Sequence, residues 1–166
     1  MARREKTMTS EIRKAGPDDA GIILGFIRDL AIYEKEPDAV VASEEDIVNN
    51  LFNPDTTTRA LICLSAGEPV GFAVYFLSFS TWLGRDGLFL EDLYVSPACR
   101  GEGHGKALLE HLARIAVKHG CGRFEWNVLD WNKPAIEFYE SLGARPQSEW
   151  VGYRLEGQAL RNLAKE

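Results

Sequence analysis

The sequence predicts a single α+β domain with a mixed, mostly antiparallel sheet and flanking helices. Strand-like apolar runs and amphipathic helical patterns follow one another in irregular order, a short turn joins two adjacent strand-like runs, and no repeat or long linker interrupts them. We expect the domain to span residues 11–166. Residues 1–10, which are charged and polar with little apolar content, are expected to form a disordered tail.

The first part of the chain predicts a short strand and two helices. Residues 11–15 suit the strand, and the turn at 16–19 carries acids that favour a helix start. That helix runs to Tyr33 with one buried stripe, formed at spacings of three and four by Ile23, Phe26, Ile27 and Leu30. Ser43 and the acids after it predict the N-cap and first turn of a shorter helix, which Asn53-Pro54 closes.

The middle of the chain predicts a hairpin and a central strand. Residues 59–64 and 70–79 are rich in aliphatic and aromatic side chains, and Ala66–Pro69 between them has the composition of a turn. After a second turn at 84–87, residues 88–95 are apolar at most positions, as in a strand buried on both faces. Two adjacent acids, Glu91 and Asp92, interrupt that strand.

The last part of the chain predicts two more helices and two more strands. A helix over 106–119 has one apolar face and ends at Gly120, a residue favoured after a helix end. The remaining predicted elements are a strand at 123–129, a helix at 132–142 ended by Gly143, and a final strand at Trp150–Leu155.

Composition limits the classes of function. Lysine and arginine total 19 against 25 aspartate and glutamate, so the formal net charge is 19 − 25 = −6. An acidic domain argues against a nucleic-acid surface and fits a small cationic substrate better. No apolar run reaches the roughly 18 residues of a membrane helix, and the N-terminus lacks the apolar segment of a signal peptide, so no membrane partner is expected.

The cysteines and histidines do not predict a metal site. Cys63, Cys99 and Cys121 contain no CxxC pair and are odd in number, which favours reduced thiols in a cytoplasmic protein. The three histidines have no metal-ligand spacing and are expected to be solvated helix residues at His104, His111 and His119.

A glycine-rich loop, Arg100–Gly105, lies between the central strand and the helix at 106–119. Backbone N–H groups of such a loop and a helix N-terminus converge on an anion. A Walker loop needs a hydroxyl after its lysine, but Ala107 follows Lys106. A dinucleotide fingerprint needs a glycine where Lys106 stands. A plain structural turn is the remaining simple alternative, although Arg100, His104 and Lys106 add local positive charge.

The pattern Arg100-x-x-Gly103-x-Gly105 resembles the pyrophosphate loop of the GNAT superfamily of acyl-CoA-dependent N-acetyltransferases. About thirty residues later, Asp130–Ala144 resembles the second motif of that family, an Asn followed by a helix that carries a tyrosine and ends in glycine. The resemblance covers Ile12 to Leu155. It implies a GNAT fold and acetyl-CoA as the co-substrate.

Four segments are most similar to the diamine and polyamine (spermidine/spermine) N-acetyltransferases and their thialysine-acetylating relatives. They are Leu30–Glu34, Leu90–Val95, Arg100–Gly105, and Trp131-Asn132 leading to Phe138-Tyr139. This resemblance implies transfer of acetyl to a primary amine of a small cationic acceptor. It also implies a homodimer, for which the C-terminal strand and tail are the expected contact.

The chemistry needs a group that takes a proton from the amine and one that assists the departing thiolate. An alkylammonium has a pKa of about 10.4, so it must lose a proton before it attacks. The resemblance assigns this base role to Glu91, directly or through a water. Tyr139 is expected to be the general acid, because a phenol that hydrogen-bonds the developing sulfur charge lowers the barrier. Without the resemblance, Tyr139 would be read as a core residue and one of the two adjacent acids as solvated.

The resemblance also assigns the binding residues. Three segments are expected to bind acetyl-CoA: the backbone of the central strand, the glycine loop and the second motif. The residues are Leu93, Tyr94 and Val95 of the strand, Arg100, Gly101, Glu102, Gly103, His104, Gly105 and Lys106 of the loop and helix start, and Asn132, Lys133, Pro134, Ala135, Phe138 and Tyr139 of the second motif. A bulge in the strand would free an N–H to polarise the thioester. Acids and aromatic rings suit an alkylammonium acceptor, and the expected contacts are Tyr33, Glu34, Glu91, Asp92, Glu125, Trp126 and Asn127.

Some positions depart from the polyamine-specific pattern. Ser80 and Thr81 stand where an aspartate and a proline are expected, Val151 lies near the place of an acid, and Tyr153 replaces a tryptophan. Fewer acids favour a short diamine, thialysine or another lysine-like amine over a long polyamine. Two alternatives stay open at this point: an acetyltransferase of protein amines, and a non-catalytic acyl-CoA-binding regulatory module.

Overall fold

The computed structural model describes residues 9–165. Residues 1–8, which make up most of the expected tail, lie outside the described residues. The chain divides between Asn127 and Val128 into two compact units, and each is described by itself.

The first unit contains a five-stranded sheet with the strands in chain order. Pairing is antiparallel from the first strand to the fourth and parallel between the fourth and fifth, which confirms the mixed, mostly antiparallel prediction. The strands are β1 (Ser10–Lys14), β2 (Arg59–Ser65), β3 (Glu68–Ser80), β4 (Arg85–Val95) and β5 (Phe124–Trp126). β1 thus begins at Ser10, one residue inside the expected tail.

Three helices flank this sheet, and their ends follow the predicted signals. They are α1 (Ala20–Tyr33), α2 (Glu44–Asp46), which continues into a π-helical turn over Ile47–Leu51, and α3 (His104–His119). The side chains of Ser43 and Asp46 each bond the other's backbone N–H, which satisfies two otherwise unpaired donors. Gly120 has φ +75°, a left-handed conformation that glycine adopts without strain, and it ends α3.

One hydrophobic core of this unit lies between α1 and the sheet. Ile23 of α1, Ile62 of β2 and Phe72 of β3 are fully buried there. The ring of Phe26 stacks on Phe72 with the centroids 5.5 Å apart, and it also contacts the ring of Tyr94 at 6.0 Å. This packing holds the C-terminal half of β4 against α1. The candidate site residues of β4 lie in that half of the strand.

β4 carries an irregularity in the middle of its length. Val74 of β3 pairs with Asp92, and the next residue, Tyr75, pairs with Leu90. Glu91 therefore has no residue opposite it and forms a β-bulge, which bends the strand and breaks the strict alternation of its faces. On its other edge, β4 pairs with β5 only from Leu88 to Leu90. Among the described residues, the pairing with β5 ends just where the bulge begins.

The second unit is helical. α4 (Lys133–Ser141) matches the predicted helix, and Gly143 follows it with φ +89°. α5 (Gly157–Ala164) was not predicted, although the spacing of Ala159, Leu160 and Leu163 is helical.

The strand predicted at Trp150–Leu155 is wrong: the residues after Gln147 up to Glu156 form a turn and irregular backbone. A strand needs a neighbouring strand for its N–H and C=O groups, and within this unit the described residues provide only helices. The apolar side chains of the segment are exposed, Trp150 to 70% and Tyr153 to 96%.

Candidate active site

Near the bulge of β4, Asp92 lies within electrostatic range of two other carboxylates. Glu91 and Asp92 follow the last residue of β4 that pairs with β5, and Glu34 ends α1, where its N–H donates to the carbonyl of Leu30 at 2.9 Å. The charges of Glu34 and Glu91 both act on Asp92. We call these three residues the acidic cluster. A cluster of this charge attracts a cation and favours its proton-bearing form.

Asp92 has the strongest perturbation in the cluster. Burial, which is the largest cause, acts together with the negative charges of Glu91 and Glu34 to raise the pKa of Asp92 from 3.8 to about 6. Burial also raises the pKa of Glu34. An ammonium group placed among these carboxylates would lower the pKa values of Asp92 and Glu34 again, because it stabilises their charged forms.

The elevated pKa of Asp92 predicts a pH-dependent cost to folding. The carboxyl binds its proton more tightly in the folded chain than in the unfolded chain, so its ionisation lowers the free energy of unfolding as the pH rises from 3.8 to about 6. We expect Asp92→Asn to raise the free energy of unfolding by about 1–3 kcal/mol above pH ~6.5 and to change it little below pH ~4. Chemical denaturation over this pH range measures the effect.

Asp55→Asn is the matched control, because Asp55 is an exposed aspartate in the turn before β2 and does not belong to the acidic cluster. If Asp92→Asn raises the free energy of unfolding by the same amount at every pH, the elevated pKa of Asp92 is not its cause. The effect of a raised pKa must vanish at low pH, where Asp92 is protonated in both the folded and the unfolded chain.

Arg100 joins the end of α1 to β4. Its guanidinium lies 4.8 Å from the ring centroid of Tyr33 and 5.3 Å from that of Tyr94, within cation–π range of both rings. Its Nε donates to the carbonyl of Val95 at 2.9 Å. Arg100, expected to supply charge at the loop, thus also brings Tyr33 beside the glycine loop.

The glycine loop has the backbone geometry expected of an anion site. Gly101 and Gly103 have φ of +80° and +89°, which a side chain would strain. The first hydrogen bond of α3 runs from Ala107 N–H to the carbonyl of Gly103, at 2.9 Å. The N–H groups of residues 104–106 precede it and have no acceptor within the helix, so they can bind an anion.

The side chains at the start of α3 differ from the sequence-based expectation. His104 was expected to be solvated and to add charge at the loop, and this is wrong: the residue is 1% exposed. Its position on α3 turns the ring toward the sheet. Lys106 is exposed, and its Nζ lies 3.7 Å from Oε1 of Glu110, one turn along the helix. Only the backbone of residue 104 is thus available to a loop ligand.

The β5 residues lie beside the open edge of β4. Trp126 pairs with Leu90, and its ring packs edge-on against Phe124 at 5.0 Å. The carboxylate of Glu125 is already ion-paired, because its Oε2 lies 2.8 Å from Nε of Arg123. Asn127 is exposed. β5 pairs with β4 no further than Leu90, so the backbone of Leu93, Tyr94 and Val95 lies at an edge of β4 that β5 does not cover. An extended ligand can pair with this edge.

The second motif residues lie together on α4. Asn132 stands at its N-cap, where its carbonyl accepts from the N–H of Ile136 at 3.1 Å. Lys133, Pro134 and Ala135 form the first turn, in which proline at an early position lacks only an N–H that would have no helical partner. The rings of Phe138 and Tyr139 contact each other at 5.7 Å.

In the described part of the chain, none of the helices has the length and the apolar composition of a membrane span. The described residues also contain no group of three or more histidine, cysteine, aspartate or glutamate side chains arranged to hold a metal ion.

Comparison with known proteins identifies the family. Residues 26–144 match the acetyltransferase (GNAT) family. The chain is 42% identical to thialysine N-epsilon-acetyltransferase of Sus scrofa, over 92% of this chain and 96% of the relative. It is 31% identical to L-ornithine N5-acetyltransferase of Arabidopsis thaliana, over 95% and 89%. An integron cassette protein from the mobile metagenome of V. cholerae superposes with a TM-score of 0.81 at 32% identity, covering 96% of this chain and 99% of the other.

The matched segment contains both sequence motifs, and the relatives extend over nearly the whole chain. The fold, with its splayed β4 edge and glycine loop, agrees with this match. The chain belongs to the GNAT family and is an N-acetyltransferase, similar to the thialysine N-epsilon-acetyltransferases.

Proposed function

We propose that this enzyme transfers acetyl from acetyl-CoA to a primary amine of a small cationic acceptor. The observation that carries the proposal is the acidic cluster at the bulge of β4, in which the charges of Glu34 and Glu91 act on Asp92. Three carboxylates at one place form a binding site for an alkylammonium group. Tyr33, whose ring lies over Arg100, adds an aromatic surface beside the site.

The residues present fit acetyl-CoA as the co-substrate. The N–H groups of the first turn of α3 and the left-handed glycines of the loop would hold the pyrophosphate. The open edge of β4 at residues 93–95 would pair with the amide groups of the pantetheine arm. Asn132 and the first turn of α4 are assigned to the same arm by their resemblance to the family motif.

The proposed reaction is direct transfer. The neutral amine nitrogen forms a bond to the thioester carbonyl carbon and then loses one proton. The C–S bond breaks, the sulfur gains one proton, and the products are an amide and the coenzyme A thiol. Glu91, through a water, takes the proton that the ammonium must lose, and Tyr139 hydrogen-bonds the departing sulfur and supplies its proton. A backbone N–H freed at the bulge would stabilise the negative oxygen of the tetrahedral intermediate.

Thialysine, ornithine and lysine-like amines fit this site better than a long polyamine. The relatives named for thialysine and ornithine act on amino acids that carry a side-chain amine. In this chain Ser80 and Val151 offer no carboxylate for a second, distant ammonium. The acidic cluster therefore pairs with one ammonium group at close range.

A panel of acceptors tests the proposal. The enzyme is incubated with acetyl-CoA and thialysine, ornithine, lysine, putrescine, spermidine, spermine or a lysine-containing peptide, and release of the coenzyme A thiol is followed. We expect the highest kcat/KM with thialysine or ornithine. A preference for the peptide would favour a protein acetyltransferase, and tight coenzyme binding with no thiol release would favour a regulatory module. Both results would overturn the proposal.

We further propose that the protein is a homodimer. The exposed apolar side chains of Trp150, Val151 and Tyr153 are the surface that a second copy would cover. We expect sedimentation velocity to give a dimer for the wild type and a monomer for Val151→Glu. A monomeric wild type at micromolar concentration would contradict the proposal.

A further inference from the structure

His104 lies at the junction of the glycine loop and α3, and its side chain is completely buried. Its imidazole contacts three polar groups. Nδ1 lies 2.8 Å from Ser10 Oγ and 3.9 Å from Cys63 Sγ, and Nε2 lies 3.2 Å from Glu102 Oε2. A buried polar ring with both nitrogens engaged is a specific arrangement, because a buried unpaired nitrogen would be costly.

The carboxylate partner fixes the direction of one hydrogen bond of the ring. A carboxylate oxygen only accepts hydrogen bonds, so Nε2 of His104 donates to Glu102. In the neutral imidazole, Nδ1 then accepts the hydrogen bond of the Ser10 hydroxyl. The ring therefore links a donor on β1 to an acceptor within the glycine loop.

These contacts connect segments that are far apart in the sequence. Ser10 opens β1, Cys63 lies in β2, and Glu102 stands between the two left-handed glycines of the loop. Glycines at residues 101 and 103 leave the loop backbone with more conformational freedom than other residues would. The His104 ring offsets that freedom by fixing one loop side chain against the sheet.

We infer that His104 is a positioning residue that holds the glycine loop against β1 and β2 and thereby sets the affinity for the phosphate portion of the coenzyme. The inference rests on the proposed function, since it assumes that the loop binds the pyrophosphate of acetyl-CoA. His104 acts through the loop backbone, because its buried ring cannot reach a ligand in solvent.

The test separates coenzyme affinity from turnover. We expect His104→Leu, which removes both hydrogen bonds, to raise the KM for acetyl-CoA about 10-fold while kcat changes less than about threefold. His104→Gln, whose amide can still donate to Glu102, should recover part of the affinity. Glu102→Ala, which leaves the core unchanged, should raise the KM in the same direction. His119→Gln, at the exposed far end of α3, is the control and should behave like the wild type.

A truncated donor distinguishes positioning from general damage to the fold. S-acetylpantetheine lacks the pyrophosphate, so wild type and His104→Leu should use it with equal kcat/KM. Equal losses with both donors, or an unchanged KM for acetyl-CoA in both His104→Leu and Glu102→Ala, would overturn the inference. If His104→Leu does not fold, Glu102→Ala and His104→Gln still decide it. Calorimetry with coenzyme A identifies failure of the proposed function itself, because the wild type would then show no binding.

Discussion

Replacing Tyr139 by phenylalanine is expected to lower kcat about 10²-fold or more and to leave coenzyme affinity within about threefold of the wild type. The substitution removes one hydroxyl and keeps the ring that packs against Phe138. If that hydroxyl supplies the proton for the departing thiolate, its loss affects the transition state and not the bound ground state. Steady-state kinetics with acetyl-CoA and calorimetric titration with coenzyme A measure the two quantities separately.

Tyr153→Phe is the matched control for this experiment. Tyr153 lies in the same unit, and phenylalanine keeps the ring that belongs to the proposed dimer surface, so loss of its hydroxyl should leave kcat unchanged. If Tyr139→Phe turns over at the wild-type rate, Tyr139 is not the general acid. A loss of kcat that is matched by a loss of thermal stability would point to a structural role instead.

Glu91→Gln is expected to lower kcat/KM for the amine about 10²-fold, since it removes the proposed proton acceptor at the bulge of β4 while keeping a side chain of the same size. Asp92→Asn should act differently and mainly raise the KM for the amine, because we propose that the Asp92 carboxylate pairs with the ammonium. In the wild type, kcat/KM should fall as the pH drops through about 6, where Asp92 takes up its proton. Asp92→Asn should lack this fall.

The two variants are compared with Glu68→Gln, an exposed glutamate at the start of β3 that should have no effect. Full activity of Glu91→Gln together with a large loss of kcat in Asp92→Asn would move the base role from Glu91 to Asp92. An acid limb that persists in Asp92→Asn would contradict the assignment of that limb to Asp92.

Local signals in the sequence predicted most of the fold. The stripe that contains Ile23 and Phe26, the cap at Ser43 and the stop at Gly120 each involve residues within a few positions of one another, and each corresponds to an observed feature. The hairpin of β2 and β3 was predicted for the same reason. Such elements are specified by short-range periodicity and turn composition.

The features that the sequence did not predict depend on distant contacts. Trp150–Leu155 has strand composition but no strand partner in its own unit, so composition alone gave the wrong element. His104 is buried because Ser10 and Cys63, which lie 94 and 41 residues away, contact its ring. No spacing within the helix could show this.

The sequence predicted which residues form the candidate site, but it did not predict the raised pKa of Asp92. The glycine loop and the acids of β4 were recognised from motifs, and the loop conformation at Gly101 and Gly103 agrees with that reading. The elevated pKa of Asp92 follows from its burial and from the nearness of Glu34, which belongs to a different element. The order of residues along the chain shows neither the burial of Asp92 nor its nearness to Glu34.

The central claim is that acetyl passes from acetyl-CoA to the side-chain amine of a small cationic acceptor, and analysis of the product tests it most directly. The enzyme is incubated with thialysine and acetyl-CoA labelled with carbon-13 in the acetyl group, and the carbon-13 NMR spectrum is recorded beside an assay of free thiol. We expect the label in an amide on the side-chain nitrogen, with one thiol released for each amide formed. Thiol release with the label in free acetate, or no release while coenzyme A binds tightly, would contradict the claim.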